Sequence, residues 1–222
     1  MVSEPLAAEA DQPGRKQQQR SIVTQQKLLD AAVEAFSENG FKGTSTRDIA
    51  ERAGVHHPLI TYHFKNKDQL WRAATDQVFT EFGGLLARAL KESAERDPKK
   101  RFKSMIRTFV RHARSQPAVH KIIVQESSTA NPRMDWLVKT HLKPFFQATI
   151  GQIEELQRHG IAVNGNPALL YHMVRLSAGG MLALEYMLLG TSDIDLRNDD
   201  TLEELVDMIV RVYFPGEIGG SA

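Results

Sequence analysis

Two short apolar segments that meet at a glycine constrain the fold most. Ile49 and Ala50 lie at helical spacing before Gly54, and Ile60 and Phe64 lie at helical spacing after it. Glycine adopts the positive φ that a tight turn between helices requires. Because an isolated helix under about 12 residues is marginal in water, each segment needs neighbours to hold it. The pattern therefore predicts a helix-turn-helix packed on larger helices.

The flanking sequence supplies those larger helices. An apolar stripe begins at Ser21 and ends at Asn39-Gly40, a typical helix stop. Ser45 and Asp48 have the spacing of a capping box, which predicts the start of the second helix. Pro58 suits the first turn of the third helix, from about His56 to Phe64, and Asn66 caps a fourth helix that extends to about Ser93.

Helical periodicity continues to the end of the chain, and no strand-like alternation of useful length interrupts it. Proline, glycine and acidic loops separate the helices that we expect near 99–115, 117–128, 133–159, 167–189 and 201–214. The predicted fold is all-α. The predicted regions are a disordered arm at 1–20, a three-helix helix-turn-helix domain at 21–68, and a helical domain for effector binding and dimerisation at 69–222.

The third helix carries polar groups that its core does not use. In a helix-turn-helix this second helix of the motif enters the major groove of DNA. His and Thr side chains can bond base edges or phosphates, apolar groups can touch a thymine methyl, and Arg47 can span O6 and N7 of guanine. Each residue could equally be an ordinary solvated surface residue. The candidate DNA contacts are Ser45, Thr46, Arg47, His56, His57, Pro58, Leu59, Thr61, Tyr62, His63 and Lys67.

Charge gives weaker support for a nucleic-acid partner. The whole chain carries 28 basic and 27 acidic residues, for a net charge of +1. Residues 15–67, however, hold nine Lys or Arg against five acids, with three histidines in addition. The basic end of the arm, at Arg15, Lys16 and Arg20, either serves solubility or contacts phosphates or the minor groove.

The stretch "KLLDAAVEAFSENGFKGTSTRDIAERAGVHHPLITYHFKNKDQLWRAA" resembles the DNA-binding region of the TetR family of bacterial transcriptional regulators. That family typically has F-x-x-x-G-[YF], then T-[ST]-x-x-[DI]-I-A-x-x-A-G-V, then Y-x-F and K-x-x-L. The resemblance covers about 48 residues. Beyond residue 75 only length, helical character and helix order are similar to the family.

The resemblance implies roles for individual residues. Arg47 would contact DNA from the second helix, Thr61 and Tyr62 from the third, and Lys67 would bind phosphate. One position departs from the family pattern, since "ITYHF" has Thr61 where many members have tyrosine. Threonine is too short for the same phosphate contact, so we expect Tyr62 or His63 to replace it.

The resemblance also implies that the C-terminal region forms a dimer. In "PALLYHMVRLSAGGMLALEYMLLG" apolar residues occur almost all round the helix, which favours coverage by a partner. "LEELVDMIVRVYF" gives a second stripe, so the two segments predict a two-fold four-helix interface. An intrachain core is the alternative. The predicted interface residues are Leu169, Met173, Gly180, Leu184, Leu205 and Ile209.

A small-molecule effector is the second implication of the resemblance. Polar side chains within apolar stretches could face a cavity lined by aromatic residues that include Phe82 and Phe145. They could equally be satisfied structural residues. The candidate ligand contacts are Phe109, His112, Glu126, Trp136, Tyr171, His172 and Arg175. The histidines lack metal-ligand spacing, so we expect no metal and no cofactor.

The favoured function is a dimeric, ligand-responsive repressor that binds a pseudo-palindromic operator in double-stranded DNA. An enzyme is disfavoured because the sequence has no catalytic fingerprint such as a P-loop or H-E-x-x-H. A DNA-binding protein without an effector stays open. The chain has no cysteine, no signal peptide and no long apolar run, so we expect a cytoplasmic protein without a membrane partner.

Overall fold

The computed structural model describes residues 13–92 and 95–215, which form helices joined by turns and contain no strand. The all-α prediction is confirmed. The α-helices are α1 (Pro13–Gly43), α2 (Thr46–Arg52), α3 (Pro58–Phe64), α4 (Lys67–Glu92), α5 (Pro98–Ser115), α6 (Ala118–Glu126), α7 (Pro132–Leu137), α8 (Lys143–Arg158), α9 (Pro167–Arg175), α10 (Met181–Ala183), α11 (Glu185–Ser192) and α12 (Asp199–Tyr213).

Helix α1 starts earlier than the sequence predicted. Residues 13–20, assigned above to a disordered arm, continue the helix toward the N-terminus, whereas residues 1–12 lie outside the described residues. The segment has no apolar stripe, but its Gln, Lys and Arg residues are good helix formers. The predicted stop is confirmed, because Gly40 leaves the helical region at φ +69°.

The helix-turn-helix forms as expected. Ser45 Oγ accepts a hydrogen bond from Asp48 N at 3.1 Å, and Asp48 Oδ2 accepts one from Ser45 N at 3.0 Å. This reciprocal pair confirms the capping box at the start of α2. Gly54 turns the chain at φ +64°, and Pro58 occupies the first turn of α3. Local backbone chemistry thus sets where the two short helices begin and where the chain turns between them.

One hydrophobic core holds these short helices. Ile49 of α2 and Ile60 and Phe64 of α3 are buried against α1 and α4. Helix α6 belongs to the same core through Ile122, which is 2% exposed. The N-terminal helices therefore pack directly on the C-terminal helices as well as being joined to them through α4.

A second core lies among α5, α8, α9 and α12. Leu205 and Ile209, predicted above to lie in a dimer interface, are part of this core at 7% and 2% exposed. That prediction was wrong for these two residues, because α12 turns its broader apolar stripe inward. The outward apolar residues of α12 are Met208 and Val212.

Two wide helical turns interrupt the C-terminal helices. A π-helical turn at Val138–Leu142 precedes Pro144, and Lys143 N donates to Val138 O. Pro144 has no N–H to continue an α-helical ladder, which accounts for the widening. A second π-helical turn, Leu176–Gly180, lies between α9 and α10.

Among residues 13–92 and 95–215, none of the helices combines the length and apolarity that a bilayer crossing needs.

A buried ion pair joins α6 to α7 and contacts the end of α1. Arg133 donates from Nε and Nη2 to the two carboxylate oxygens of Glu126, each at 3.1 Å. The Glu126 and Arg133 side chains are only 6% and 17% exposed. The guanidinium also lies 3.8 Å from the centroid of the Phe41 ring, just beyond the end of the straight part of α1. We name this group, Glu126, Arg133 and Phe41, the junction.

Replacing Glu126 with alanine should strongly destabilise the protein. Removal of one member of a buried ion pair leaves an uncompensated charge and typically costs about 3–5 kcal/mol. The free energy of unfolding, measured by urea denaturation at fixed protein concentration, should fall by about that amount. Glu154→Ala is the matched control, since Glu154 is exposed on α8 and such changes usually cost under about 0.5 kcal/mol. Equal losses in the two variants would contradict the role of the junction.

Candidate nucleic-acid interface and ligand cavity

Helix α3 presents a polar outer face. Tyr62 is 75% exposed, and Pro58 and Thr61 are exposed beside it, whereas Ile60 and Phe64 are buried beneath. His56 and His57 extend the exposed surface at the start of the helix. The surface combines hydroxyl, imidazole and apolar groups, which suits contacts to phosphates and base edges. We call these exposed residues the recognition surface.

Two of the candidate contacts are less available than expected. Leu59 is half-buried and packs against the N-terminal core, so its side chain does not lie free on the recognition surface. His63 is also half-buried, with its ring centroid 4.9 Å from that of Tyr62 and 6.0 Å from that of Phe64. These positions fall between the inner and outer faces of the short helix.

The start of α2 lies beside the recognition surface. Thr46 Oγ1 and His57 Nε2 share a hydrogen bond at 3.0 Å, which ties the beginning of α2 to the beginning of α3. Arg47 is exposed next to Thr46. The Ser45 hydroxyl accepts the capping hydrogen bond from Asp48 N described above. The exposed guanidinium of Arg47 is therefore available for contacts at this end of α2.

Lys67 lies at the start of α4, close to the junction. Its Nζ is 4.4 Å from the centroid of the Phe41 ring. The pKa of Lys67 is lowered, first by burial and then by the charge of Arg133, while Asp48 acts in the opposite direction. Asn66 Oδ1 accepts a hydrogen bond from Gln69 N at 2.9 Å, so one amide of this helix end is already used. The predicted phosphate site thus offers fewer free backbone amides than an uncapped helix terminus.

A cavity of about 460 Å³ lies between α4, α5, α6, the first π-helical turn, α8 and α9. A narrower cleft of about 50 Å³ adjoins it and shares part of its wall. Three candidate ligand contacts line both spaces: Phe109, Tyr171 and Arg175. Phe82 and Phe145 also line the larger cavity, as expected.

The other four candidate ligand contacts lie elsewhere. Glu126 is held by Arg133 in the junction. Trp136 packs edge-on against Trp71, with ring centroids 5.9 Å apart. His112 packs on Phe82 without lining the cavity, and exposed His172 stacks on Phe146. These four side chains contact neighbouring side chains and do not line the cavity, which favours the alternative that they are structural residues.

His120 is a cavity residue that the sequence analysis missed. It is 4% exposed, and the edges of Phe82 and Phe109 pack around its ring with centroids 5.7 Å away. A Cβ added at Gly179 would overlap the His120 ring. Burial, with smaller effects from Arg175 and His112, lowers the pKa of His120 to about 4. A lone histidine in the apolar run "AVHKIIV" was the available signal.

Metal binding gains no support from the described part of the chain. No group of three or more His, Cys, Asp or Glu side chains there is arranged to hold a metal ion.

Comparison with known proteins agrees with this architecture. Residues 28–74 match the family model described as "Bacterial regulatory proteins, tetR family". An HTH-type transcriptional repressor of Mycobacterium tuberculosis is 46% identical over 59 residues, which are 27% of this chain and 31% of that protein. The matched segment thus spans about a third of the length of that curated relative.

Solved structures extend the similarity to both regions. HlyIIR, a hemolysin II transcriptional regulator, has a TM-score of 0.64 at 18% identity over 86% of this chain and 98% of its own. AibR, solved in complex with isovaleryl coenzyme A and operator DNA, has a TM-score of 0.70 at 17% identity over 86% of this chain and 98% of its own. At this identity the likeness establishes the fold, an N-terminal helix-turn-helix domain followed by a helical domain.

Acid should destabilise the protein partly through His120. The pKa of His120 falls from its usual 6.5 to about 4 on folding. Between these values the unfolded chain binds a proton that the folded chain does not, so stability is lost as the pH falls. Wild type should therefore lose about 2–3 kcal/mol more than His120→Leu between pH 7 and pH 4.5.

Urea denaturation at the two pH values measures this difference. His159→Gln is the control, since His159 is exposed at the end of α8, and it should lose as much stability as wild type. An unchanged pH dependence in His120→Leu would show that the buried ring is not the source.

Proposed function

We propose that the chain is a member of the TetR family of bacterial regulatory proteins, whose family model matches residues 28–74, and that it is a sequence-specific DNA-binding transcriptional regulator that acts as a dimeric, ligand-responsive repressor. The observation that carries the proposal is the recognition surface on α3. Exposed Thr61 and Tyr62 stand over buried Ile60 and Phe64, and exposed Arg47 lies at the start of α2. This arrangement suits insertion of α3 into the major groove while α2 crosses the backbone.

Two copies would read a pseudo-palindromic operator. In helix-turn-helix dimers the recognition helices enter successive major grooves about 34 Å apart. The C-terminal helices offer an apolar surface for such a dimer, which we call the apolar face. It consists of exposed residues on α9, the second π-helical turn, the segment around α11, and α12. They are Leu169, Met173, Leu176, Leu184, Tyr186, Met187, Met208 and Val212.

The apolar face supports most of the predicted interface. Leu169, Met173 and Leu184 are 63%, 53% and 43% exposed, and half-buried Gly180 has open space beside its Cα. Contiguous exposed apolar surface of this kind usually marks an interaction site. In our proposal Met208 and Val212 take the place of Leu205 and Ile209.

An effector would act through the helices that line the cavity. Helix α4 contributes Phe79 and Phe82 to the cavity wall, and its first turns bury Leu70 and Trp71 in the N-terminal core. A ligand that favours a different position of α4 would change the spacing of the recognition surfaces. Coupling of about 1–3 kcal/mol alters affinity roughly 5- to 150-fold.

Helix α6 offers a second route. His120 and Ile123 line the cavity, and Gln125 Nε2 donates to Ser37 O of α1 at 2.9 Å. The same short helix therefore contacts the cavity and the DNA-binding region. A cavity of this size, connected in this way, counts against the alternative of a DNA-binding protein without an effector.

A gel-shift titration tests DNA binding directly. The purified protein would be titrated against the intergenic DNA beside its own gene, at fixed salt, with excess nonspecific competitor. A discrete complex that resists the competitor is the expected result. The same screen with genomic fragments would follow, and failure to select any fragment would contradict the proposal.

Arg47→Ala should relax base preference. Loss of a bidentate contact to guanine costs about 1–3 kcal/mol and reduces discrimination at that position. Affinity for the selected operator and for a scrambled sequence would be compared at one salt concentration. Arg158→Ala is the matched control, because Arg158 is exposed at the far end of α8. If Arg47→Ala and the control keep the same specificity ratio, Arg47 does not read bases.

A charge on the apolar face should separate the dimer. Gly180→Asp would put a carboxylate in the second π-helical turn, between the apolar residues of α9 and those around α11, where an added Cβ meets no atom within 4 Å. Gly151→Asp is the matched control, since Gly151 is an exposed helical glycine of α8 with equally open surroundings. Sedimentation equilibrium should give monomers for the first and dimers for the second. A dimeric Gly180→Asp would place the interface elsewhere.

A further inference from the structure

We propose that the cavity binds an amphipathic organic carboxylate, whose apolar body lies among the aromatic side chains and whose carboxylate binds Arg175. The proposal concerns the same cavity as the proposed function and rests on it only for the regulatory meaning of the ligand. The binding preference itself can be measured without DNA.

The lining of the cavity favours a ligand with a large apolar part. That lining is largely apolar and rich in aromatic rings, and the cavity volume of about 460 Å³ falls within the range of about 300–1,000 Å³ that is typical of pockets for small organic ligands. Phe82 and Phe109 meet edge to face with centroids 5.6 Å apart, so the rings are already packed in a favourable arrangement. The aromatic residues that line the cavity are Phe79, Phe82, Phe109, His120, His141, Phe145 and Tyr171.

Arg175 places a positive charge in this apolar wall. It lines the larger cavity and the narrower cleft, and it is half-buried. Its positive charge acts on two neighbouring rings, because it contributes to the lowered pKa of His120 and acts to lower the pKa of Tyr171. A guanidinium in low-dielectric surroundings gains most from a bidentate carboxylate partner.

No acidic side chain of the described residues forms an ion pair with Arg175. This distinguishes it from Arg114 and Arg133, the other half-buried arginines of the described C-terminal helices, whereas Arg101, Arg158 and Arg211 are exposed. Arg107 and Arg111 bind Glu203, Arg114 binds Asp199, and Arg133 binds Glu126. Arg175 is therefore a half-buried arginine whose guanidinium is available to an anionic ligand.

His120 supplies a second polar group. Its Nε2 is buried and has no hydrogen-bond partner among the described residues. A buried polar atom without a partner is costly, so a ligand oxygen that bonded it would recover that loss. With its lowered pKa the ring is neutral at pH 7, and in the Nε2–H tautomer it donates to a carboxylate. Arg175 and His120 both line the larger cavity, and the charge of Arg175 is close enough to affect the pKa of His120.

The cavity also has a route of entry. Thr80, Ala87, Thr140 and Pro144 line it and are exposed, which places its mouth between α4 and the first π-helical turn. Gly84 lines the same space, and a Cβ added there meets no atom within 4 Å. A larger side chain at Gly84 would consequently occupy room that the ligand needs.

Isothermal titration calorimetry of the full chain at pH 7 tests the preference with matched probes. The probes are 4-phenylbutyrate, 4-phenylbutanamide, 4-phenylbutylamine and acetate. The first three share one apolar body and differ in charge, and acetate has the charge without the body. We expect 4-phenylbutyrate to bind at least about tenfold more tightly than each of the others, as a charged hydrogen-bonded pair implies. Equal binding of the butyrate and the butanamide would overturn the proposal.

Two variants locate the carboxylate and the body. Arg175→Met should bind the butyrate no better than the butanamide, whereas Arg158→Met should keep the wild-type ratio. Gly84→Leu should weaken the butyrate at least about tenfold by filling the cavity, and Gly151→Leu should not. Thermal melting would check that each variant folds. A folded Arg175→Met with the wild-type ratio would refute the assigned role of Arg175.

The proposed function can fail independently. Gel shifts without any probe report DNA binding alone, and the calorimetry reports the ligand class alone. Specific DNA binding together with no carboxylate preference would overturn this inference and leave the regulator intact. Carboxylate binding together with no specific DNA complex would overturn the regulator and leave the ligand class standing.

Discussion

The buried Glu126–Arg133 pair at the junction is the interaction on which the rest of the structure depends. Two opposite charges removed from water are stable only when they are paired and hydrogen-bonded, and the bidentate contact between Arg133 and Glu126 provides both. The Arg133 guanidinium also packs over the Phe41 ring. The pair fixes the end of α6 to the start of α7 and sets both against the end of α1. The recognition surface is therefore carried on a base that includes α6, which also lines the cavity.

Local chemistry made the N-terminal region predictable. Glycine at the turn, the Ser45–Asp48 capping box and the alternation of buried and exposed residues along α3 each act within a few residues. The sequence therefore predicted α2, α3 and the end of the straight part of α1 correctly. Residues 13–20 were missed because helix propensity alone, without an apolar stripe, extends α1 there.

Long-range packing limited the prediction of the second region. Helix α12 is apolar on more than one side, and only the positions of α5 and α9 decide that Ile209 faces inward and Met208 outward. The same holds for the ligand residues. Glu126 and His120 lie on one short helix, yet Glu126 pairs with Arg133 of the next helix and aromatic rings enclose His120. Spacing along one helix does not contain that information.

His120 connects three parts of the molecule through its packing. It lines the cavity, and the absence of a Cβ at Gly179 lets its ring press against the second π-helical turn. His120 also lines a cleft whose walls include Val124, Leu176 and Gly180, and Leu176 belongs to the apolar face. Because close-packed interiors transmit displacement, a ligand that moved His120 would act on α6 and on the proposed dimer surface together. Dimer geometry and the position of the recognition surface would then respond to one side chain.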